Sequence, residues 1–304
     1  MKRILITGID GFFGRNLVHR WINKYELIGI DLPPQLFDED SQTLAWYQSI
    51  NHIDLRDDPT YYKDVMVGVD TVIHCAAKTR IDPSWNEFPD YYTTNITASQ
   101  QLLKVSQELG VKKFIYFSSS SVYGNNGTDC QSEDSELCPT SPYAVSKMAA
   151  EYALKAQALK GNTELIIVRP FTMYGPFMRS GTYSLVIAKF IKAYIDNVPL
   201  ILEGTGQQTR DFIHADDAMA ALELIMEHGT HGDVFNIGTG RSVTIKELAD
   251  VVSHKQITAP SRIGAIGRTC ADMSRLTKLG YEPKIQVLEW LSNHLKEIKI
   301  NTLH

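Results

Sequence analysis

Cysteine is scarce in this chain. There are four in 304 residues, at positions 75, 130, 138 and 270, with none of the paired spacings that mark a metal site. Cys130 and Cys138 are close enough along the sequence to pair, yet free thiols are the expectation for a cytoplasmic protein. His214, His228 and His231 also lack ligand spacing, so no metal is expected. No apolar run is long enough to cross a bilayer. The opening Met1-Lys-Arg-Ile-Leu-Ile-Thr-Gly8 enters a glycine turn too soon for a signal peptide. A cytoplasmic location with no membrane partner is therefore expected. Positive charge is not in excess either: the formal net charge of −5 offers no general affinity for nucleic acid. An anionic ligand must be met by individual arginines. Repeats and low-complexity stretches are missing from the sequence. What remains is an ordinary globular composition, 43% apolar and 21% charged. The length suits one large α/β domain, or one domain with an appended lobe.

The first two-thirds alternate short β-rich runs with helical ones. Strands are expected at 3–7, 26–31, 47–54, 71–75, 114–118 and 165–169, and helices near 12–23, 59–67, 91–109 and 143–160. That alternation predicts a parallel sheet with right-handed crossovers and helices on both faces. After Pro170 the strands shorten and Gly and Pro punctuate the chain, which predicts a smaller lobe. A helix at 216–228 is expected to return to the main domain.

Two motifs carry chemistry. Gly8, Gly11 and Gly14 end the first strand and open the first helix. Glycine there permits a tight turn and lets backbone N–H groups approach a pyrophosphate at a helix N-terminus. Asp31 ends the second strand, where a carboxylate bonds an adenosine ribose diol and repels a 2′-phosphate, so NAD is expected over NADP. Asp54 and Leu55 end the third strand beside the adenine, and Ala76 and Ala77 allow close approach at the end of the fourth. His74 is expected to be a packed strand-end residue. The second motif is Tyr143-Ala-Val-Ser-Lys147, in which Tyr and Lys share one helix face. A nearby ammonium ion lowers the phenol pKa, and the phenolate can then take a proton from a sugar hydroxyl as a hydride leaves. The NAD-binding domain is expected at 1–169 plus about 210–235, with a nucleotide-sugar lobe at 170–209 and 236–304.

Thr7-Gly-x-x-Gly-Phe-x-Gly14, Asp54-Leu, His74-x-Ala-Ala77, Phe117-Ser-Ser-Ser-Ser-Val-Tyr-Gly124, Ser141-Pro-Tyr-x-x-x-Lys147, Arg169-Pro-x-x-x-Tyr-Gly-Pro176 and Arg210-Asp-Phe212 occur in that order. The chain so resembles the extended short-chain dehydrogenase/reductase superfamily, in its nucleotide-sugar epimerase/dehydratase branch. The resemblance implies a Rossmann-type doubly wound parallel sheet of seven strands, with a smaller C-terminal α/β lobe. It implies tightly held NAD, a nucleotide-sugar substrate (a UDP-sugar first), and a homodimer through the helices near 95–109 and 143–160. It makes Tyr143 the acid/base, Lys147 the residue that holds the nicotinamide ribose, and Ser119 the partner of the sugar hydroxyl. Phe12, Phe13, Lys78, Asn95 and Pro170 join the cofactor set, Asn95 matching a structural residue after strand four. Arg210 and Arg268 match a diphosphate clamp, and the Leu200-Ile201 stretch the loop that packs the nucleotide base. Ser120, Lys78, Arg80 and Thr172 complete the substrate set.

The serine run separates reaction classes. Dehydratases of the branch carry Asp-Glu after the Ser/Thr, and uronic acid decarboxylases carry Glu just before Val-Tyr-Gly. Ser120 and Ser121 stand here, and neither titrates near neutral pH. Reversible oxidation of a secondary alcohol remains, which predicts 4-epimerisation through a 4-keto sugar. A 4-ketoreductase or dehydrogenase of an activated deoxysugar is the alternative. A redox-sensing binding module is a third reading, disfavoured by the intact Tyr/Lys pair. Thr172 stands where many relatives have Asn, as in some uronate 4-epimerases. Lys78 and Arg80 add cations suited to a substrate carboxylate or acyl group. Ala265 stands where relatives often hold the uridine ribose with an acid.

Overall fold

The β-branched runs fold as strands and the amphipathic runs between them as helices. The computed structural model describes residues 1–33, 50–178 and 185–301. In chain order it begins β1 (Arg3–Thr7), α1 (Phe12–Trp21), β2 (Glu26–Asp31), β3 (Ile50–His52), α2 (Thr60–Lys63), β4 (Thr71–His74), α3 (Ile81–Ser84) and α4 (Phe88–Tyr92). A π-helical turn (Thr93–Ala98), α5 (Ser99–Glu108), β5 (Lys113–Phe117), α6 (Pro142–Ala158) and β6 (Glu164–Pro170) follow. The remainder is β7 (Thr172–Tyr174), α7 (Val186–Ile195), β8 (Leu200–Glu203), β9 (Thr209–His214), α8 (Ala215–His228) and β10 (Val234–Ile237). It closes with β11 (Ser242–Thr244), α9 (Ile245–Val252), β12 (Gln256–Ala259), α10 (Ser274–Lys278) and α11 (Val287–Asn301).

Seven parallel strands form the main sheet in the order β10-β6-β5-β4-β1-β2-β3. Successive side chains on a strand face opposite sides, and here both sides are dry, as a parallel sheet covered by helices requires. Ile4, Ile6, Ile73, Ile115, Ile166 and Val168 pack on one face with Leu17, Val18 and Trp21 of α1 and Met219, Leu222 and Ile225 of α8. Leu5, Val72, Phe114, Leu165 and Ile167 pack on the other with Leu102 and Leu103 of α5 and Ala150 and Leu154 of α6. The strand order reverses between β1 and β4, the switch point where open α/β sheets bind ligands.

A separate apolar cluster builds the lobe, joining Phe190 of α7, Leu200 and Leu202 of β8, Phe212 of β9, Leu248 of α9 and Leu291 of α11. Its strands pair as β11-β9-β7 and β12-β8. The chain departs from expectation at several joints. β10 pairs with β6 as far as Ile237↔Pro170, beyond the boundary expected near 235. β9 pairs with β7 and β11, so residues 209–214 run with the lobe strands. The helix expected over 91–109 is divided by the π-helical turn at Thr93–Ala98. The helix expected at 59–67 is only α2 followed by a 3-10 turn, Asp64–Met66. The third strand is shorter than expected, and residues 47–49 of that expectation lie outside the described residues.

The cysteines need correction as well. Cys130 is bonded to Cys270, 140 residues away, and Cys138 is free with Cys75. The backbone sets up that pairing: Gln131 N–H donates to the Cys270 carbonyl at 2.7 Å, and Cys270 N–H donates to Gln131 Oε1 at 3.0 Å. Proximity along the sequence gave no hint of it. Among the described residues no helix is long and apolar enough to cross a membrane.

Candidate active site

A cavity of ≈ 1600 Å³ runs from the β1/β4 switch point to the lobe, larger than the few hundred to about 1,000 Å³ of a one-ligand pocket. Its floor begins at the glycine turn. Gly8 has φ +69, and a Cβ there would come within 2.7 Å of Ala76 N. A Cβ on Gly14 would lie 2.4 Å from the Ile9 backbone, so glycine is what lets α1 rest on the turn. Gly11 is the helix N-cap and bears no capping side chain. The first N–H groups of α1 are thereby presented, with the positive end of the helix dipole, to an anion. Gly8, Gly11, Phe12, Phe13, Asp31, Asp54, Leu55, Ala76, Ala77 and Lys78 line this end. The Asp31 carboxylate accepts from Asp10 N at 2.7 Å and Leu32 N at 2.8 Å, which orients it at the rim. The cradle, the uncapped helix and this carboxylate fit a dinucleotide.

Behind the cavity a polar chain holds the strand ends. His74 Nδ1 lies 2.6 Å from Thr7 Oγ1 and Nε2 lies 2.7 Å from Ser99 Oγ. Ser99 donates its own proton to the Asn95 carbonyl, so His74 donates from Nε2 and accepts from Thr7. Burial pushes the His74 imidazole down to about 3, which matches this neutral tautomer. Asn95 accepts from Lys78 N and donates to Lys78 O, both at 2.9 Å, and donates to Ser146 Oγ at 2.8 Å. Asn95 is fully buried and does not line the cavity. It fixes the turn that does, which corrects its assignment to the cofactor set. His74 is the packed strand-end residue expected of it.

The reacting centre lies where β5, α6 and β6 converge. Ser141 caps α6, accepting from Ala144 N at 3.2 Å, and Pro142 follows at the first helical position. This start directs Tyr143 into the cavity with Ser119, Ser120, Pro170 and Thr172. The hydroxyls of Ser119 and Ser121 stand beside the Tyr143 phenol. Burial raises the Tyr143 phenol above its ordinary value, against the opposing effect of those two hydroxyls. The expected depression by Lys147 is therefore not what the structure shows. The physical reason lies in Lys147 itself: burial draws its ammonium down to about 7, and its Nζ donates to the Phe117 carbonyl at 2.7 Å.

Arg210 and Arg262 line the lobe end. Burial, and next the charge of Arg262, lower the Arg210 guanidinium to about 10. Two cations held within reach of each other are a demand for an anion. Arg262 donates from Nε to Glu203 at 2.7 Å and stands 3.6 Å from Asp82 of α3, spanning the cleft. Arg268 does not line the cavity; it is half-exposed and paired with Asp129 at 2.8 Å. Sequence reading matched Arg268 to the diphosphate clamp and did not name Arg262, which lines the cavity. Leu200 likewise faces the lobe core at 0% exposure, while its neighbour Ile201 is 59% exposed and lines the cavity. The alternation of a strand decides between them. Arg80 lines the cavity, as does Lys78, whose Nζ is bridged to Glu87 at 3.0 Å and Asp90 at 2.9 Å. Arg56 was not foreseen at all. It lines the adenine end and grips Asp54, whose carboxyl its hydrogen bonds hold below the usual range. The adjacency Asp54-Leu-Arg56 was the available signal.

Known proteins share this arrangement. The chain is 28% identical over 309 residues to the uncharacterized UDP-glucose epimerase YtcB of Bacillus subtilis, covering 96% of each. The UDP-glucose 4-epimerase of Thermotoga maritima, solved with UDP-glucose, superposes with a TM-score of 0.90 at 28% identity, over 99% of this chain and 100% of that one. MoeE5, solved with UDP-glucuronic acid and NAD, gives 0.86 at 30% identity, over 98% and 99%. A profile of the NAD dependent epimerase/dehydratase family matches residues 4–238, which takes in the glycine cradle, the serine run and the Tyr143/Lys147 pair. On these grounds the chain is an enzyme that belongs to the NAD dependent epimerase/dehydratase family.

Proposed function

We propose that this enzyme is an NAD-dependent UDP-sugar 4-epimerase. The observation that carries the reading is the reacting centre: Tyr143 lines the cavity beside the hydroxyls of Ser119, Ser120 and Ser121. Among the described lining residues the carboxylates are Asp31, Asp54 and Glu203, at the two ends. Eliminating water needs a further acid and base beside the sugar, and Ser120 and Ser121 occupy those places. The glycine turn of Gly8, Gly11 and Gly14, with Asp31 at its rim, would hold NAD, which would supply a reversible hydride acceptor. Ser119 orients the C4 hydroxyl and Tyr143 takes its proton, then gives it back. Lys147, one turn further along α6, would hold the nicotinamide ribose of that NAD. Arg210 and Arg262 hold the diphosphate, and Ile201 covers the base.

Arg80 lines the same cavity as the hydroxyls of Ser119, Ser120 and Thr172, a set that suits a carboxylate on the sugar. UDP-glucuronate therefore belongs beside UDP-glucose, UDP-galactose and the N-acetylamino forms in the test. The experiment is proton NMR of purified enzyme with each sugar and no added nicotinamide. A C4 epimer supports the reading and names the substrate. Loss of water from the sugar, or turnover only of a 4-keto nucleotide sugar with added NAD(P)H, overturns it.

A further inference from the structure

Tyr143, Lys147 and Glu151 are spaced four apart on α6, so they share one face. The third has no part in the chemistry above, yet it is 1% exposed and its carboxylate is fully engaged. Ser118 Oγ donates to Oε1 at 2.5 Å, and Arg169 of β6 donates from Nε to Oε1 at 2.9 Å and from Nη2 to Oε2 at 2.6 Å. Ser118 lies between Phe117, whose carbonyl accepts from Lys147, and Ser119, which meets Tyr143.

Lys147 is 2% exposed, and a buried ammonium needs compensation. The groups facing it come from every side. β4 and the residue after it contribute His74 and Cys75. β5 contributes Tyr116, its ring centroid 4.8 Å from Nζ. α6 contributes Tyr143 and Glu151, and β6 contributes Arg169 through Glu151. His74 is neutral in its hydrogen-bonded tautomer. Burial pushes the Cys75 thiol far above its ordinary value, so it brings no negative charge near neutrality. Both tyrosines are phenols raised by burial. Glu151 is the anion of the set.

We propose that Glu151 is a positioning residue for the Tyr143/Lys147 pair. Its carboxylate is the counter-charge that keeps Lys147 protonated, and its bond to Ser118 fixes the strand end carrying the Phe117 carbonyl and Ser119. The inference rests on the roles given above to Tyr143 and Lys147. Without Glu151, Lys147 and Arg169 are two cations in one dry place, and the lysine is the one able to release its proton.

The test is a titration of Lys147 in the NAD-loaded protein labelled with [ε-13C]lysine, its resonance assigned by comparison with Lys147→Met. In Glu151→Gln the midpoint falls by about one unit or more, and the alkaline limb of turnover moves with it. In the double variant Glu151→Gln/Arg169→Met both charges are gone, and the midpoint returns toward the parent value. An unchanged midpoint in Glu151→Gln, or no return in the double variant, overturns the proposal. Should Glu151→Gln fail to fold, Arg169→Met gives the opposite sign: the midpoint rises with the competing cation removed, and a fall or no change overturns the proposal. The titration uses no substrate. A protein that shows these shifts and forms no C4 epimer refutes 4-epimerisation and leaves the role of Glu151 standing.

Discussion

At the scale of single residues, Tyr143 offers the most direct test of the proposed reacting centre. Tyr143→Phe removes the proton carrier and nothing that holds the dinucleotide. Turnover is expected to fall by about 10²- to 10⁴-fold, while NAD content, read by absorbance after denaturation, stays at the parent level. The two arginines offer a sharper contrast. Arg262→Ala is expected to raise KM for a UDP-sugar by roughly tenfold or more, the worth of a charge-assisted bond. Arg268→Ala, an exposed pair with Asp129, is expected to stay within about twofold. Equal effects in steady-state kinetics would undo the assignment of Arg262. Spacing alone could not separate them, because what distinguishes the two is that Arg262 lines the cleft while Arg268 turns to Asp129. Leu200 and Ile201 pose the same problem, since a one-residue shift on a strand exchanges core for cavity.

At the scale of elements, strands β1 and β2 fell where the sequence placed them, because a short apolar stretch bounded by turns admits little else. Helices with polar interiors were harder. Thr93-Thr-Asn-Ile-Thr-Ala98 has no apolar repeat to announce a π-helical turn, and only the bonds of Asn95 to Lys78 and Ser146 explain why the chain bulges there. Asn95→Ala strands buried partners and is expected to cost about 2–3 kcal/mol in urea unfolding, with weaker retention of NAD as the Lys78 turn relaxes. The contact of α1 with the glycine turn is the tighter one. Gly14→Ala puts a methyl 2.4 Å from the Ile9 backbone and is expected to cost about 1–3 kcal/mol. Gly267→Ala serves as control, its nearest neighbour 3.8 Å away; similar losses in both would show that the α1 contact is not special.

At the scale of the whole molecule, acid is expected to loosen the fold through His74. Its folded pKa, about 3, lies below the ordinary 6.5. The unfolded chain therefore binds the proton first, and the stability His74 confers is present above pH 6.5 and is lost as pH falls toward 3. Lys147 acts in the same sense over a higher window: its burial cost is complete below about 7 and is relieved as pH rises toward 10.5. Urea unfolding at stepped pH should thus show stability falling below 6.5, with a shallower slope in His74→Asn; an unaltered slope would acquit the histidine. Composition and alternation made the general architecture legible. The Cys130–Cys270 bond did not show, because it depends on two loops meeting after a sheet, a lobe and a return helix are all in place.

The position of β10 has a consequence for how such a chain is made. β10 pairs with β6 at one edge of the main sheet, yet it leaves the ribosome more than sixty residues later. During synthesis the nascent sheet is left with β6 as a bare hydrogen-bonding edge, the kind of surface that recruits other chains. A product truncated before Val234 would carry that edge permanently, although it retains the glycine turn, the serine run and the Tyr143/Lys147 pair. Such a fragment is expected to be a source of aggregates rather than a minimal enzyme.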